Sequence, residues 1–118
     1  MTVDQILSTK GKEVYSVLPT NTVYEALTVM SEKNIGAILI IEDTVLKGIL
    51  SERDYARKIV LKAKSSKNAL VCEIMETDVV TVKLTDNLES CMELMNGKRV
   101  RHLPVIENNI VIGIISIS

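Results

Sequence analysis

Apolar and polar positions along this chain change period several times, and the changes come twice in the same order. Val23, Ala26, Leu27 and Met30 recur at three- and four-residue steps, the spacing of one face of an α-helix. Two short apolar runs follow, Ala37 to Ile41 and Val45 to Leu50, with the polar Glu42-Asp43-Thr44 between them. Runs of that length, without alternation, predict strands of a hairpin buried on both faces. A second helical stripe, Leu88, Cys91, Met92 and Met95, precedes a second pair of runs, Leu103 to Ile106 and Ile110 to Ile115, split by Glu107-Asn108-Asn109. A short strand, near Val14 to Leu18 or Val79 to Val82, leads into each helix, and Tyr55 to Ala63 reads as a further helix.

The two halves are copies. Shifted by 65 residues, Val17 to Arg53 aligns with Val82 to Ser118 without a gap, pairing Thr20 with Thr85, Met30 with Met95, Ile41-Glu42 with Ile106-Glu107, Gly48-Ile49 with Gly113-Ile114 and Ser51 with Ser116. Upstream, Val3-Asp4-Gln5-Ile6-Leu7 resembles Val71-Cys72-Glu73-Ile74-Met75, a short amphipathic turn before each copy. Thr22-x-x-Glu25 and Asp86-x-x-Glu89 read as capping pairs at the two helix starts. Gly48 and Gly113 interrupt a strand at the same place, which predicts a bulge or a close approach by another group, a ligand being one candidate. Residues 1–63 are expected to form the first repeat with its preceding segment and closing helix, 64–68 a polar linker, and 69–118 a second repeat lacking the closing helix.

Composition narrows the picture. Apolar residues make up 47% and charged residues 25%, a balance that argues for a folded chain. Three Tyr with no Phe or Trp leave an aliphatic core of Ile, Val, Leu and Met. A net charge of −1 removes the electrostatic footprint of a nucleic-acid binder. The amino terminus has no signal-like stretch and no run reaches membrane-span length, so a cytoplasmic protein is expected, with no membrane partner. Cys72 and Cys91 stand 19 residues apart, wrong for a zinc or CxxC site, and read as buried free thiols. There is no Gly-x-Gly-x-x-Gly, P-loop or His-Glu-x-x-His, and a single His, so neither catalysis nor a metal site is expected.

Pro19-Thr20, Ala26, Met30 and Gly48-Ile49-Leu50-Ser51-Glu52-Arg53-Asp54 in the first copy, with Met95, Arg101-His102-Leu103-Pro104-Val105 and Gly113-Ile114-Ile115-Ser116 in the second, resemble a tandem pair of cystathionine-β-synthase (CBS) domains, a Bateman module, over essentially the whole chain. More narrowly, the chain is similar to short bacterial proteins made of little beyond one CBS pair. The resemblance implies an α/β (α+β) fold of two β-α-β-β-(α) repeats about a pseudo-two-fold axis. It also implies clefts for an adenosine nucleotide, AMP, ADP, ATP or NAD, a sensor rather than an enzyme, and a homodimer. The alternative is a dimerisation scaffold with no physiological nucleotide.

Carried over residue by residue, the resemblance gives one cleft Ser51, Arg53, Asp54, Val80, Thr81, Arg101, His102 and Pro104. The residue types suit a nucleotide: a carboxylate accepts from both ribose hydroxyls, a guanidinium forks onto phosphate oxygens, and His adds a donor whose charge follows pH. Bland readings stand beside these: Ser51 and Asp54 as a helix cap, Arg101 and His102 as solvated charges, Pro104 and Gly48 as packing residues. A weaker second cleft would take Val17, Gly36, Ala37, Ser116 and Ser118. Its ribose Asp would be residue 119, beyond the end, and Asn34-Ile35-Gly36-Ala37 stands where the other copy has Arg99-Val100-Arg101-His102. Truncation of a longer natural sequence would account for the missing Asp.

Overall fold

The structure is a computed structural model and describes residues 1–117. The chain forms two compact units, Tyr15–Asp78 in one and Met1–Val14 with the chain from Val79 in the other. Both contain the helix and hairpin that the apolar pattern predicts, and the fold is that of two mixed α/β repeats.

In Tyr15–Asp78 the order is β1 (Ser16–Val17), α2 (Val23–Lys33), β2 (Ala37–Glu42), β3 (Val45–Ser51), α3 (Glu52–Tyr55) running into a π-helical turn over Ala56–Val60, and α4 (Val71–Ile74), with α1 (Val3–Lys10) preceding it in the chain. The sheet order is β1-β2-β3, β1 parallel to β2 and β2 antiparallel to β3. Val23, Ala26 and Met30 of α2 pack with Ile38, Ile40, Leu50, Ile59, Val71 and Ile74, a core of aliphatic side chains and one Met. Ala37 and Leu39, on the other face of β2, are buried as well, whereas β3 begins exposed at Val45 and Lys47, so in this hairpin β2 fits the expectation of a strand covered on both faces and β3 does not.

The second unit has α5 (Leu88–Lys98), β4 (His102–Glu107) and β5 (Ile110–Ser116). Its core joins Val3 and Leu7 of α1 to Val82, Cys91, Met95, Leu103, Val105 and Ile115. The leading strand expected at Val79 to Val82 is reduced to one parallel bridge, Val82 to Val105. The hairpin register repeats at the 65-residue offset: Ala37 opposite Ser51 and His102 opposite Ser116, with a bulge after Ile40 and after Val105. Asp43-Thr44 and Asn108-Asn109 turn the hairpins with both residues at positive φ, the backbone of a tight primed turn.

The leading segments are packed crosswise to the sequence order. α1 precedes the first repeat in the chain but docks on the second, where Val3 N–H donates to Asp86 O at 2.7 Å and Asp4 N–H to Leu84 O at 3.1 Å. The segment at α4 precedes the second repeat but docks on the first, where Val71 N–H donates to Asn21 O at 2.8 Å and Cys72 N–H to Pro19 O at 3.1 Å. The compact units therefore divide the chain at Val14/Tyr15 and Asp78/Val79 rather than at the polar loop 64–68. That loop is tied into the first unit, since Tyr24 N–H donates to Ser66 O at 2.8 Å and Lys67 lies 5.5 Å above the Tyr24 ring.

The same docking accounts for both strand glycines. A Cβ on Gly48 would stand 2.8 Å from Glu76 O and 2.8 Å from Met75 Sδ, and one on Gly113 would stand 2.7 Å from Leu7 Cδ1. The close approach foreseen from sequence is thus made by the chain itself, at a bulge, and no ligand is needed to explain either glycine.

Two local expectations are corrected. The capping box at Thr22 and Glu25 forms, and its hydrogen bonds from Thr22 N–H, then the Asn21 and Thr22 side chains, hold the Glu25 carboxyl below the ordinary carboxylate range. In the second repeat the cap is Asn87, whose Oδ1 accepts from Ser90 N–H at 2.8 Å, not Asp86. Asp86 accepts from Lys83 N–H at 2.8 Å, as Asn21 accepts from Leu18 N–H at 2.7 Å, a turn-forming role one residue before the cap. Cys91 is buried, but Cys72 sits on the outer side of α4 and is exposed. Burial and, secondarily, the charge of Asp86 push the Cys91 thiol pKa up.

Candidate functional site

Ser51 ends β3 and caps α3, a junction where a short hydroxyl can reach back to the third helical amide. Asp54 N–H donates to Ser51 Oγ at 3.1 Å, while Ser51 N–H and Ser51 Oγ donate to Asp54 Oδ2 at 3.1 Å and 3.0 Å. The capping arrangement weighed against a ligand role is therefore present. It occupies only half of the carboxylate. Oδ2 receives both Ser51 donors, and Oδ1 faces the Lys58 ammonium at 3.5 Å, longer than a charged hydrogen bond. A carboxylate oxygen has two lone pairs, so Oδ1 keeps acceptor capacity for an incoming hydroxyl. Asp54 is half-buried with 21% of its side chain exposed, and Arg53 beside it projects into solvent.

The sheet brings Gly36 and Ala37 to the same junction. Ala37 pairs with Ser51 across the hairpin, and Glu52 N–H donates to Gly36 O at 3.1 Å. Val17 lies in β1 opposite Ile40. In this unit the first-site residues Ser51, Arg53 and Asp54 therefore share a sheet end with Gly36 and Ala37, which sequence assigns to the second site. Ala37 is only 3% exposed.

The other unit repeats the backbone with different side chains. His102 pairs with Ser116, and Ile117 N–H donates to Arg101 O at 3.1 Å, the counterpart of the Glu52 to Gly36 bond. Arg101 is exposed and His102 half-buried. Thr81 is exposed, and Val80 packs partly against the core. Pro104 is fully buried, and its carbonyl accepts from Val82 N–H at 3.0 Å, so its evident work is in the sheet. Ser118 lies outside the described residues.

Chemically, one unit offers a half-buried carboxylate with an open acceptor, and the other an exposed guanidinium beside an imidazole. Among the described residues no group of three or more His, Cys, Asp or Glu could hold a metal ion, and no helix is long and apolar enough to cross a membrane. Sequence reasoning missed Lys58, although its position four residues after Asp54 on a helix was the signal for an ion pair.

The CBS domain model matches the chain twice, over residues 3–61 and 71–118. The chain belongs to the CBS-domain family. This CBS pair is 36% identical to the mitochondrial CBS domain-containing protein CBSX3 of Arabidopsis thaliana, covering 98% of this chain and 61% of that one, so the chain spans about three-fifths of the plant relative. It is 31% identical to the CBS domain-containing protein YhcV of Bacillus subtilis, with 98% and 81% covered. Among solved structures, a CBS-domain protein from Burkholderia ambifaria is 44% identical at a TM-score of 0.95, covering 98% of this chain and 88% of that one. One from Agrobacterium tumefaciens is 33% identical at 0.93, with 98% and 93% covered. The chain is a CBS-pair regulatory module. The family match places its repeat boundaries by sequence, while the compact units show that each repeat is completed by the other's leading segment.

Proposed function

We propose that this CBS pair is a sensor for an adenosine nucleotide, AMP, ADP, ATP or NAD. Asp54 and Ser51 take the ribose hydroxyls, and Arg101 with His102 takes phosphate. The observation that carries the reading is the Asp54 carboxylate: it is held in a cap through Oδ2 while Oδ1 retains an open lone pair. A hydroxyl can bond to Oδ1 without breaking the cap, and a second can take the place of the Ser51 hydroxyl on Oδ2. A further support is a solved CBS pair, 22% identical at a TM-score of 0.85, in complex with 5′-methylthioadenosine and S-adenosyl-L-methionine. Ligand occupancy alters output only by its different affinity for the two packing states of the module.

Gly36 and Ala37 stand where the second repeat has Arg101 and His102, so the second site lacks a phosphate donor and is the weaker of the two. Leu88 and Met92, one helical turn apart on α5 and 37% and 54% exposed, are an apolar surface of the kind a homodimer would cover.

Thermal denaturation with AMP, ADP, ATP, NAD and S-adenosylmethionine tests the reading, since a ligand at 100 times its Kd stabilises by about 2.7 kcal/mol. For a compound that binds, Asp54→Ala weakens the ribonucleotide more than its 2′-deoxy analogue, and Arg101→Ala costs about 1.5–3 kcal/mol of binding. A chain that forms dimers but responds to none of the five compounds is a scaffold, and the sensor reading falls.

A further inference from the structure

Lys58 leaves the π-helical turn after α3 and meets two acceptors. Its ammonium donates to Ile74 O at 2.9 Å and stands 3.5 Å from Asp54 Oδ1. The first contact binds it to the last residue of α4, where orphan carbonyls attract a cation. The second reaches the carboxylate oxygen that the Ser51 cap leaves open. With its side chain 39% exposed, Lys58 is anchored from one side while remaining in reach of solvent.

Turning about the Cβ–Cγ bond, a broad torsion with little intrinsic preference, moves Oδ1 and Oδ2 together, so the two Ser51 donors on Oδ2 also restrain Oδ1. One of those donors, the Ser51 hydroxyl, is the one a sugar hydroxyl would displace. With it gone the carboxylate is held by Ser51 N–H and by Lys58, whose ammonium is tied down by Ile74 O. At 3.5 Å the ammonium acts on Oδ1 through charge more than through a hydrogen bond, so it aims the oxygen without consuming the lone pair a hydroxyl would use.

We propose that Lys58 is a positioning residue that aims Asp54 Oδ1 at the sugar of the ligand and thereby sets the preference for a ribose over a deoxyribose. The proposal rests on the reading of Asp54 as the ribose-binding carboxylate. It concerns orientation only: Lys58 is not asked to touch the ligand.

The test measures dissociation constants of AMP and ATP and of their 2′-deoxy counterparts for the wild type, Lys58→Met, Lys58→Arg and Asp54→Ala. Lys58→Met is expected to weaken AMP or ATP by about two- to fivefold, the effect of losing one part-exposed ion pair from a site. The 2′-deoxy compounds lose much less, so the ribose preference shrinks, and Lys58→Arg restores most of it. Loss of the Ile74 contact lowers the melting temperature of Lys58→Met, but a purely structural role would weaken ribo and deoxy ligands alike. Equal losses, or unchanged affinity, overturn the proposal. If Asp54→Ala abolishes the ribose preference while Lys58→Met leaves it intact, only the role of Lys58 falls. If Asp54→Ala leaves the preference intact, or neither nucleotide binds the wild type, the site reading falls and this proposal with it.

Discussion

Replacing Gly48 by Ala is a measurement of how tightly α4 and its exit segment are built into the first repeat. A methyl there would stand 2.8 Å from Glu76 O, 2.8 Å from Met75 Sδ and 2.9 Å from Met75 Cγ. Those separations fall about 0.7 Å short of ordinary van der Waals contact. Met75 can move its side chain, but Glu76 O is tied to Ile49 N–H at 3.0 Å and Glu76 N–H to Ile49 O at 2.9 Å, so the backbone cannot yield without losing a bridge. Overpacking of this kind costs about 1–3 kcal/mol. The Ala gains back about 0.4–1 kcal/mol from the restricted unfolded chain, because Gly48 does not use a positive φ. The expected net loss for Gly48→Ala is about 1–2 kcal/mol, read as a lowered urea midpoint at unchanged slope. Gly113→Ala presses only on the methyl ends of Leu7, which can rotate, and is expected to cost under about 1 kcal/mol. Repeating Gly48→Ala in a Met75→Ala background separates side chain from backbone, since Glu76 O remains in the way. A neutral Gly48→Ala, a larger loss at Gly113, or full rescue by Met75→Ala would refute the reasoning.

Two further outcomes follow from local geometry. Thr44 is exposed and holds φ at 66° in the first hairpin turn, a conformation unfavourable to a β-branched residue, so Thr44→Gly should raise the stability by roughly 0.5–1 kcal/mol, read as a higher midpoint in a chemical melt; a loss of stability would show that its side chain contributes more than its strain. The two thiols should separate in a timed reaction with a disulfide reagent at neutral pH. Exposed Cys72 reacts at once, whereas Cys91, buried and with its pKa raised, waits on opening of the fold. Equal rates would contradict the burial of Cys91.

Much of the fold was legible because burial writes a period into the sequence. Of the stripe Val23, Ala26, Leu27 and Met30, all but the half-buried Leu27 are buried on α2; of the stripe Leu88, Cys91, Met92 and Met95, Cys91 and Met95 face the core while Leu88 and Met92 are exposed on α5, and the four apolar runs became the hairpins at one common register. What the pattern does not carry is which apolar surface covers which. Val3 and Leu7 read as belonging to the repeat they precede, yet they complete the core of the other, because an amphipathic turn specifies only that one side is buried. The leading strand at Val79 to Val82 shrank to a single bridge for a related reason: apolar residues say little about how many backbone partners are within reach. Of the proposed site residues, the pairing of Ser51 with Asp54 in a cap was legible in the sequence, but the different surroundings of Oδ1 and Oδ2 were not, since they depend on which donors converge on which oxygen. Cys72 misled because an apolar neighbourhood in the sequence was taken for burial on a four-residue helix that buries only Val71 and Ile74.

The two repeats are alike in backbone at the very positions where their chemistry differs. Glu52 N–H bonds to Gly36 O and Ile117 N–H to Arg101 O, both at 3.1 Å, so the same chain path presents no side chain in one repeat and a guanidinium in the other. Asn34 and Arg99 end their helices in the same left-handed conformation, one with an amide and one with a charge. At these hairpin positions the framework is shared, and what differs between the repeats is the side-chain chemistry it carries. In the first repeat Lys58 adds a side-chain contact to this framework, binding the end of α4 while facing Asp54. In the Tyr15–Asp78 unit the carboxylate and its cap are thus linked to the docked leading segment through Lys58, by an ion pair on one side and a hydrogen bond on the other, so that anything drawing Asp54 away from Lys58 acts also on the segment that wedges Met75 against Gly48.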